Sequence, residues 1–259
     1  MDLGLKGKVI AVTGGAKGIG AAIVRTCCRE DAVPVIVDRD EEAGLQLQID
    51  LGGTEKCGFV AAELSTAEGC SQAVGKIRQA FGRLDALVNN AGVNDKIGLE
   101  RGNPQEYVAS LHRNLVHYYS MAHYCLPHLK QSRGVILNIG SKTAVTGQGD
   151  TSGYASSKGA ILALTREWAA ELLPYGIRVN AVVPAEVMTP LYRSWLNTFP
   201  DPEDKLRSIL AKIPLENRMT TDEEIAAMVV FLISGKSGHT TGQHVFIDGG
   251  YVHLDRALT

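Results

Sequence analysis

Short apolar runs alternate with amphipathic stretches along the whole chain. Lys8–Thr13 (KVIAVT) carries the β-branched, continuous apolar pattern of a strand buried on both faces. Runs of the same kind recur at 33–37, 57–60, 84–88, 134–139, 177–183 and 245–248. Between them, 21–30, 41–51, 66–81, 104–129, 154–173 and 221–234 show helical spacing. Thr220, Thr221 and Asp222 are the cap candidates for the last of these, with Glu224 just inside it. Residues 189–210 read as one or two helices on a longer insertion at about 186–215. Regular alternation of strand and helix predicts an α/β chain: a doubly wound, seven-stranded parallel sheet with helices on both faces and right-handed crossovers. No stretch has linker composition and no repeat appears, so residues 1–259 are expected to form a single domain.

Composition narrows the class. A net charge of −2 with both signs interspersed gives no footprint for nucleic acid or an acidic membrane, and neither is expected as a partner. Five cysteines without C-x-x-C spacing, and a first strand that begins soon after Met1, read as reduced thiols of a cytoplasmic protein. Four histidines, His112, His117, His123 and His128, share one predicted helix. Steps of five and six scatter them around it, so no metal site is expected.

Three features carry chemistry. First, strand 8–13 runs into Gly14-Gly15-Ala16-Lys17-Gly18-Ile19-Gly20 and then a helix. That arrangement lets backbone N–H groups and a helix N-terminus approach a pyrophosphate. Second, the next strand ends in Asp38, near the ~20-residue offset at which a carboxylate accepts the adenosine ribose hydroxyls and repels a 2′-phosphate. NAD is therefore the expected cofactor, with NADP possible because Arg39 stands next door and a guanidinium can pair with that phosphate. Glu63 and Leu64 follow the third strand as candidates for the adenine pocket, and Asn90-Ala91-Gly92 close the fourth, where backbone can pass near a ligand. Third, Ser141 precedes Tyr154-x-x-x-Lys158. One helical turn puts an ammonium beside a phenol, and a nearby cation favours the phenolate over a phenol of pKa about 10. Asn114, a poor helix former in the middle of a predicted helix, needs a reason to be there.

TGGAKGIG, NNAG, Asn114, Ser141 and Tyr154-x-x-x-Lys158 occur in the order and spacing of the short-chain dehydrogenase/reductase family, which the chain resembles along essentially its whole length. The resemblance implies a Rossmann fold. It also implies Tyr154 as general base, Ser141 steadying the reacting oxygen, Lys158 lowering the tyrosine pKa and holding the nicotinamide ribose, and Asn114 anchoring a proton-relay water. Gly14, Lys17, Gly18, Ile19 and Gly20 would surround the pyrophosphate, and Asn90, Ala91 and Gly92 would sit near the adenosine ribose. Pro184, Val187 and Thr189 match the family's nicotinamide-contacting P-G-x-x-x-T, here P-A-E-V-M-T. Ala185 replaces the usual glycine, which argues against positive φ there.

Within the family, NNAGVND, SKTAVTGQGDTSGY, PAEVMTPLYRSW and DGGYVHLDRAL resemble bacterial L-fucose dehydrogenases. An aldose pocket needs polar groups beside an apolar wall. Asn94, Gln148, Thr151 and Glu186 are the polar candidates, and Met188, Tyr192 and Trp195 the apolar ones, around Ser141 and Tyr154. The resemblance implies a homotetramer built through the helices at 104–129 and 154–173, with the tail from Tyr251 to Thr259 a candidate cap over a neighbouring site. The competing expectations are a carbonyl reductase acting on a hydroxysteroid or 3-oxoacyl group, and an NAD-binding sensor without turnover.

Overall fold

The computed structural model describes residues 1–255. Strands β1 (Val9–Thr13), β2 (Val33–Asp38), β3 (Gly58–Ala61), β4 (Ala86–Asn89), β5 (Val135–Ile139), β6 (Arg178–Pro184) and β7 (His244–Ile247) form one sheet in the order β3-β2-β1-β4-β5-β6-β7. Every pairing is parallel. The helices are α1 (Gly18–Arg29), α2 (Glu41–Asp50), α3 (Ala67–Phe81), α4 (Pro104–Leu111), α5 (His117–Ser132), α6 (Ser152–Glu171), α7 (Pro190–Leu196), α8 (Pro202–Leu210) and α9 (Asp222–Ile233).

Alternate strand residues feed two cores, as a period of two requires. Ile10, Val12 and Ile36 pack with Ile23 and Val24 of α1 and Val229 and Ile233 of α9. Val9, Ala11, Val35 and Val37 pack on the other face with Ile77 of α3, Met121 of α5 and Ile161 of α6. With both faces covered, the strands read as unbroken apolar runs. Strand order reverses between β1 and β4, and a crevice at the carboxyl ends of such neighbours is where this architecture binds ligands.

Two segments differ from the pattern's prediction. Residues 104–129 do not form one helix: α4 ends at Leu111, a wide π turn spans His112–Val116, and α5 continues to Ser132. Asn114 lies inside the turn, where its Nδ2 donates to the Ser110 carbonyl (3.1 Å) and its Oδ1 accepts from Val93 N–H (2.7 Å). A side chain competing for a helix carbonyl is the local reason for the irregularity. Residues 189–210 form two helices because each restarts on its own signal. Thr189 and Asp201 cap them through Tyr192 N–H (3.1 Å) and Asp204 N–H (2.8 Å), each followed by proline. Among the three cap candidates for α9, Thr221 takes the position, in a reciprocal capping box with Glu224.

Candidate active site

The glycine turn joins β1 to α1 with Gly14 at φ +61° and Gly18 at φ +54°. No side chain caps α1: Lys17 stands at the N-cap position without a hydrogen bond to the helix, and the first turn holds no acid. Its leading N–H groups are left for an anion. Gly20 packs so closely that an added Cβ would lie 2.0 Å from the Gly14 carbonyl oxygen. Asn90 braces the glycine turn. Its Nδ2 donates to the carbonyls of Thr13 and Gly14, both at 3.0 Å, and its N–H donates to Thr13 Oγ1 (2.9 Å).

Asp38 stands half-buried at the end of β2, where its carboxylate accepts Ala16 N–H and Asp40 N–H, each at 3.0 Å. Lys17 turns away from the glycine turn to Asp40, whose carboxyl is held below its usual range by that ammonium. Arg39 lies 3.5 Å from Glu63, and both are exposed. Ser65 N–H, the largest cause, lowers the Glu63 carboxyl, while Leu64 beside it is buried. Ile19 and Ala91 are half-buried around the turn.

Lys158 is fully enclosed on α6. Its Nζ donates to the Ile139 carbonyl (2.8 Å) and to Tyr118 Oη (3.0 Å), and Tyr118 donates in turn to the same carbonyl (3.0 Å). Burial lowers the ammonium pKa to about 7. Tyr154 lies one turn back, its ring centroid 5.6 Å from Lys158 Nζ. Burial raises its phenol, and a hydrogen bond with Ser141 works against that rise. The Lys158 ammonium meanwhile holds Tyr118 Oη and the Ile139 carbonyl. Ser141 Oγ also accepts from Thr143 Oγ1 (3.0 Å). A Cβ on Gly92 would sit 3.2 Å from Asn114 Oδ1 and 3.8 Å from Lys158 Nζ, so glycine there keeps the lysine's approach open. Both ends of the Asn114 amide are taken by Ser110 and Val93, so they hold strand end to helix.

Past β6, Pro184 and Val187 are buried, and Val187 bridges to Thr220. Thr189 comes against the glycine turn, its Cγ2 3.3 Å from a Cβ built on Gly18. Ala185 does not adopt positive φ, as its side chain requires. Glu186 is no solvated loop carboxylate: it forms an ion pair with Lys142, and both side chains are almost buried. Tyr192 and Trp195 meet edge to face (5.1 Å, 75°). Met188 is half-buried and Thr151 buried. Gln148 is exposed, and Asn94 Oδ1 accepts Lys96 N–H (3.3 Å) within its own loop. Tyr251, expected over a neighbouring site, caps its own chain's Lys142, 4.1 Å from ring centroid to Nζ, and 256–259 lie outside the described residues. Sequence reasoning missed Tyr118, Lys142 and Thr143. Only Tyr118 carried a local signal, four residues after Asn114 and so on its helical face.

The residues fit a dinucleotide: an uncapped helix N-terminus behind a glycine turn, and a carboxylate at the end of the second strand. Among the described residues, no group of three or more His, Cys, Asp or Glu is arranged to hold a metal, and no helix is long and apolar enough to cross a membrane. Fold and site together define a nicotinamide-dependent oxidoreductase of the Rossmann type. The family model described as "Enoyl-(Acyl carrier protein) reductase" matches residues 14–252. An L-fucose dehydrogenase of Bos taurus is 37% identical over 94% of this chain and 89% of its own; this relative is mammalian, where the sequence pointed to bacterial enzymes. The crystal structure of Cj0485 dehydrogenase superimposes with a TM-score of 0.95 at 47% identity, over 100% of this chain and 99% of that one. The aldohexose dehydrogenase of Thermoplasma acidophilum gives 0.89 at 27% identity, over 99% and 98%. The 3-ketoacyl-(acyl-carrier-protein) reductase of Brucella melitensis, complexed with NADH, gives 0.86 at 31%, over 96% and 99%. The chain belongs to the short-chain dehydrogenase/reductase family. It is an oxidoreductase that uses a nicotinamide cofactor on a small-molecule substrate.

Proposed function

We propose that the chain oxidises C1 of an aldose, L-fucose or a closely related sugar, with NAD+, giving the aldonolactone. The observation that carries the reading is the almost buried Lys142–Glu186 pair, whose lysine directly follows Ser141. A steroid or acyl chain would leave those charges facing hydrocarbon, whereas a sugar supplies hydroxyls to them. Likeness to an L-fucose dehydrogenase and to an aldohexose dehydrogenase supports the same substrate class. Asp38 at the end of β2, with Arg39 drawn to Glu63, supports NAD over NADP.

In this mechanism Tyr154 as phenolate takes the proton of the C1 hydroxyl. Ser141 donates a hydrogen bond to the same oxygen and holds it in place. Lys158 stabilises the phenolate and faces the ribose, while Gly14, Gly18, Ile19 and Gly20 receive the pyrophosphate and Pro184, Val187 and Thr189 the carboxamide. A bound nicotinamide supplies the hydride acceptor. The insertion at about 186–215, with α7 and α8, covers the sugar. Apolar surface shared by Leu115, Val116, Tyr119, Ala160, Ala163 and Leu164 on α5, α6 and the turn before them supports assembly as a homotetramer.

The test is reduced-nicotinamide absorbance with purified protein, either dinucleotide and a panel of aldoses: L-fucose, D-arabinose, L-galactose and D-glucose. Strong NAD+ reduction with L-fucose and its stereochemical relatives is the expected result. Silence on every sugar, with turnover of a hydroxysteroid or 3-hydroxyacyl alcohol, overturns the substrate. Preference for NADP+ overturns the role of Asp38.

A further inference from the structure

Around Lys142 the chain builds a cluster that hydride transfer does not itself need. Lys142 lies in the short 3-10 turn Lys142–Ala144 that leaves Ser141. Side-chain exposure is 10% for Lys142 and 12% for Glu186, its ion-pair partner, so both charges have given up most of their water. The Tyr251 ring covers the ammonium at 4.1 Å. Tyr192 lies near the same carboxylate; burial first, and then that carboxylate's charge, push its phenol up. Trp195 packs on Tyr192 (5.1 Å) and Phe199 on Trp195 (5.0 Å).

The cluster is fastened from three sides. The Glu186 carbonyl accepts Thr220 N–H (3.1 Å), and the Gly249 carbonyl accepts Leu215 N–H (3.0 Å). Gly249 and Gly250 adopt φ of +62° and +80°, and the Asp248 carboxylate accepts the N–H groups of Gly250 and Val252, each at 2.9 Å. That tight turn brings Tyr251 back over Lys142. Stability alone gives no reason for such a pair, because well-packed apolar residues usually do as well as a buried ion pair. An ammonium has three donors and a carboxylate about four acceptor sites, more than one ion pair uses. The pair also ties the residue after Ser141 to the residue before the 187–189 segment, and Ser141 and that segment flank the reacting carbon in the proposed mechanism.

We propose that Lys142 and Glu186 form a subsite for a vicinal diol of the substrate, the ammonium donating to one hydroxyl oxygen and the carboxylate accepting from its neighbour. Tyr192, Trp195 and Tyr251 wall the subsite and meet the apolar face of the ring. The pair has no net charge, so it selects neutral polyols over carboxylate or phosphate substrates. This inference rests on the aldose reading and goes beyond it in naming the residues that tell a polyhydroxylated ring from a simple alcohol.

The test compares L-fucose, its monodeoxy analogues and unsubstituted tetrahydropyran-2-ol, which keeps C1 and its hydroxyl and has no diol. Wild type, Lys142→Met, Glu186→Gln and the double variant are assayed with NAD+, after circular dichroism confirms the fold of each. The double variant leaves no lone buried charge, so it stays informative if a single variant fails to fold. In wild type, removing one of two adjacent hydroxyls should cut kcat/KM by about 10–100-fold, the scale of a hydrogen bond to a charged group. In the double variant that penalty should disappear, and L-fucose should lose about 10–100-fold more than tetrahydropyran-2-ol. Equal losses on the two substrates, or a deoxy penalty that survives in the double variant, overturn the subsite and leave the aldose reading standing. Wild type that turns over no aldose overturns both.

Discussion

Removing one oxygen atom tests how Lys158 is held. In Tyr118→Phe the ring, fully buried, keeps its packing. Lys158 keeps the Ile139 carbonyl and loses its acceptor at 3.0 Å, while that carbonyl still receives the lysine, so no buried acceptor is orphaned. A hydrogen bond to a charged group is worth about 1.5–3 kcal/mol. One pKa unit corresponds to about 1.4 kcal/mol, so the ammonium should lose its proton about 1–2 pH units lower. Burial has already brought that pKa to about 7. The sign follows from which states carry the charge. The working state of the proposed mechanism pairs a Tyr154 phenolate with the ammonium; because burial lowers the lysine and raises the phenol, the lysine sets the acid limb of the profile and the phenol the alkaline one. The substitution weakens only states with a charged Lys158. The acid limb of kcat/KM should therefore move down by about 1–2 pH units and the maximum fall by up to about 10–100-fold. Tyr154 faces Lys158 from α6 and Tyr118 from α5. His117, at the head of α5, is held neutral by burial down to about pH 4 and does not titrate in this window. The assay is initial rate against pH for both proteins. An acid limb that stays in place, or moves up, refutes the reasoning and leaves Tyr118 a packing residue.

Three further outcomes follow from the same geometry. Tyr154→Phe should lose about 10²–10⁴-fold in turnover while still binding NADH by fluorescence, and a variant keeping more than about a tenth of the activity would remove Tyr154 as base. Gly20→Ala places a Cβ 2.0 Å from the Gly14 carbonyl oxygen, so the turn must open and NADH affinity drop; unchanged affinity in a titration contradicts the pyrophosphate assignment. Asp38→Ala removes the acceptor of Ala16 N–H as well as the repulsion of a 2′-phosphate, so the NADP+/NAD+ ratio of kcat/KM should rise. A ratio that does not move shows that cofactor choice lies elsewhere.

The half of the site that receives the cofactor was legible in the chain because backbone makes it. Positive φ at Gly14 and Gly18, the missing cap on α1 and the strand ending at Asp38 are local properties, each readable within a few residues. The parallel sheet was legible for the same reason, since burial on both faces leaves unbroken apolar runs. Partners of side chains were not. Asn90 fits the family motif, yet its amide is spent on Thr13 and Gly14. The lysine of the Tyr-x-x-x-Lys pair lies 5.6 Å from the Tyr154 ring, and it also hydrogen-bonds a second tyrosine 40 residues away along the chain, a pairing that no local pattern announces.

The proposed substrate side is harder to read because it is assembled entirely from such meetings. Lys142 and Glu186 are 44 residues apart, and Tyr251 reaches them from beyond β7. Periodicity reports that a position is buried and says nothing about what it is buried against. A lysine after Ser141 carried no signal of its own, and a glutamate after Pro184-Ala185 was a pocket candidate without a partner. Only their mutual approach makes burial tolerable, because either charge without the other would carry an uncompensated desolvation cost. That dependence makes the pair informative: two exposed charges can drift apart without consequence, whereas two that are almost buried against each other constrain what can lie beside them. A monohydric apolar substrate would meet charged groups with nothing to offer them, and a ring carrying adjacent hydroxyls would complete them. The deoxy-sugar series therefore asks about chemistry that neither residue displays singly.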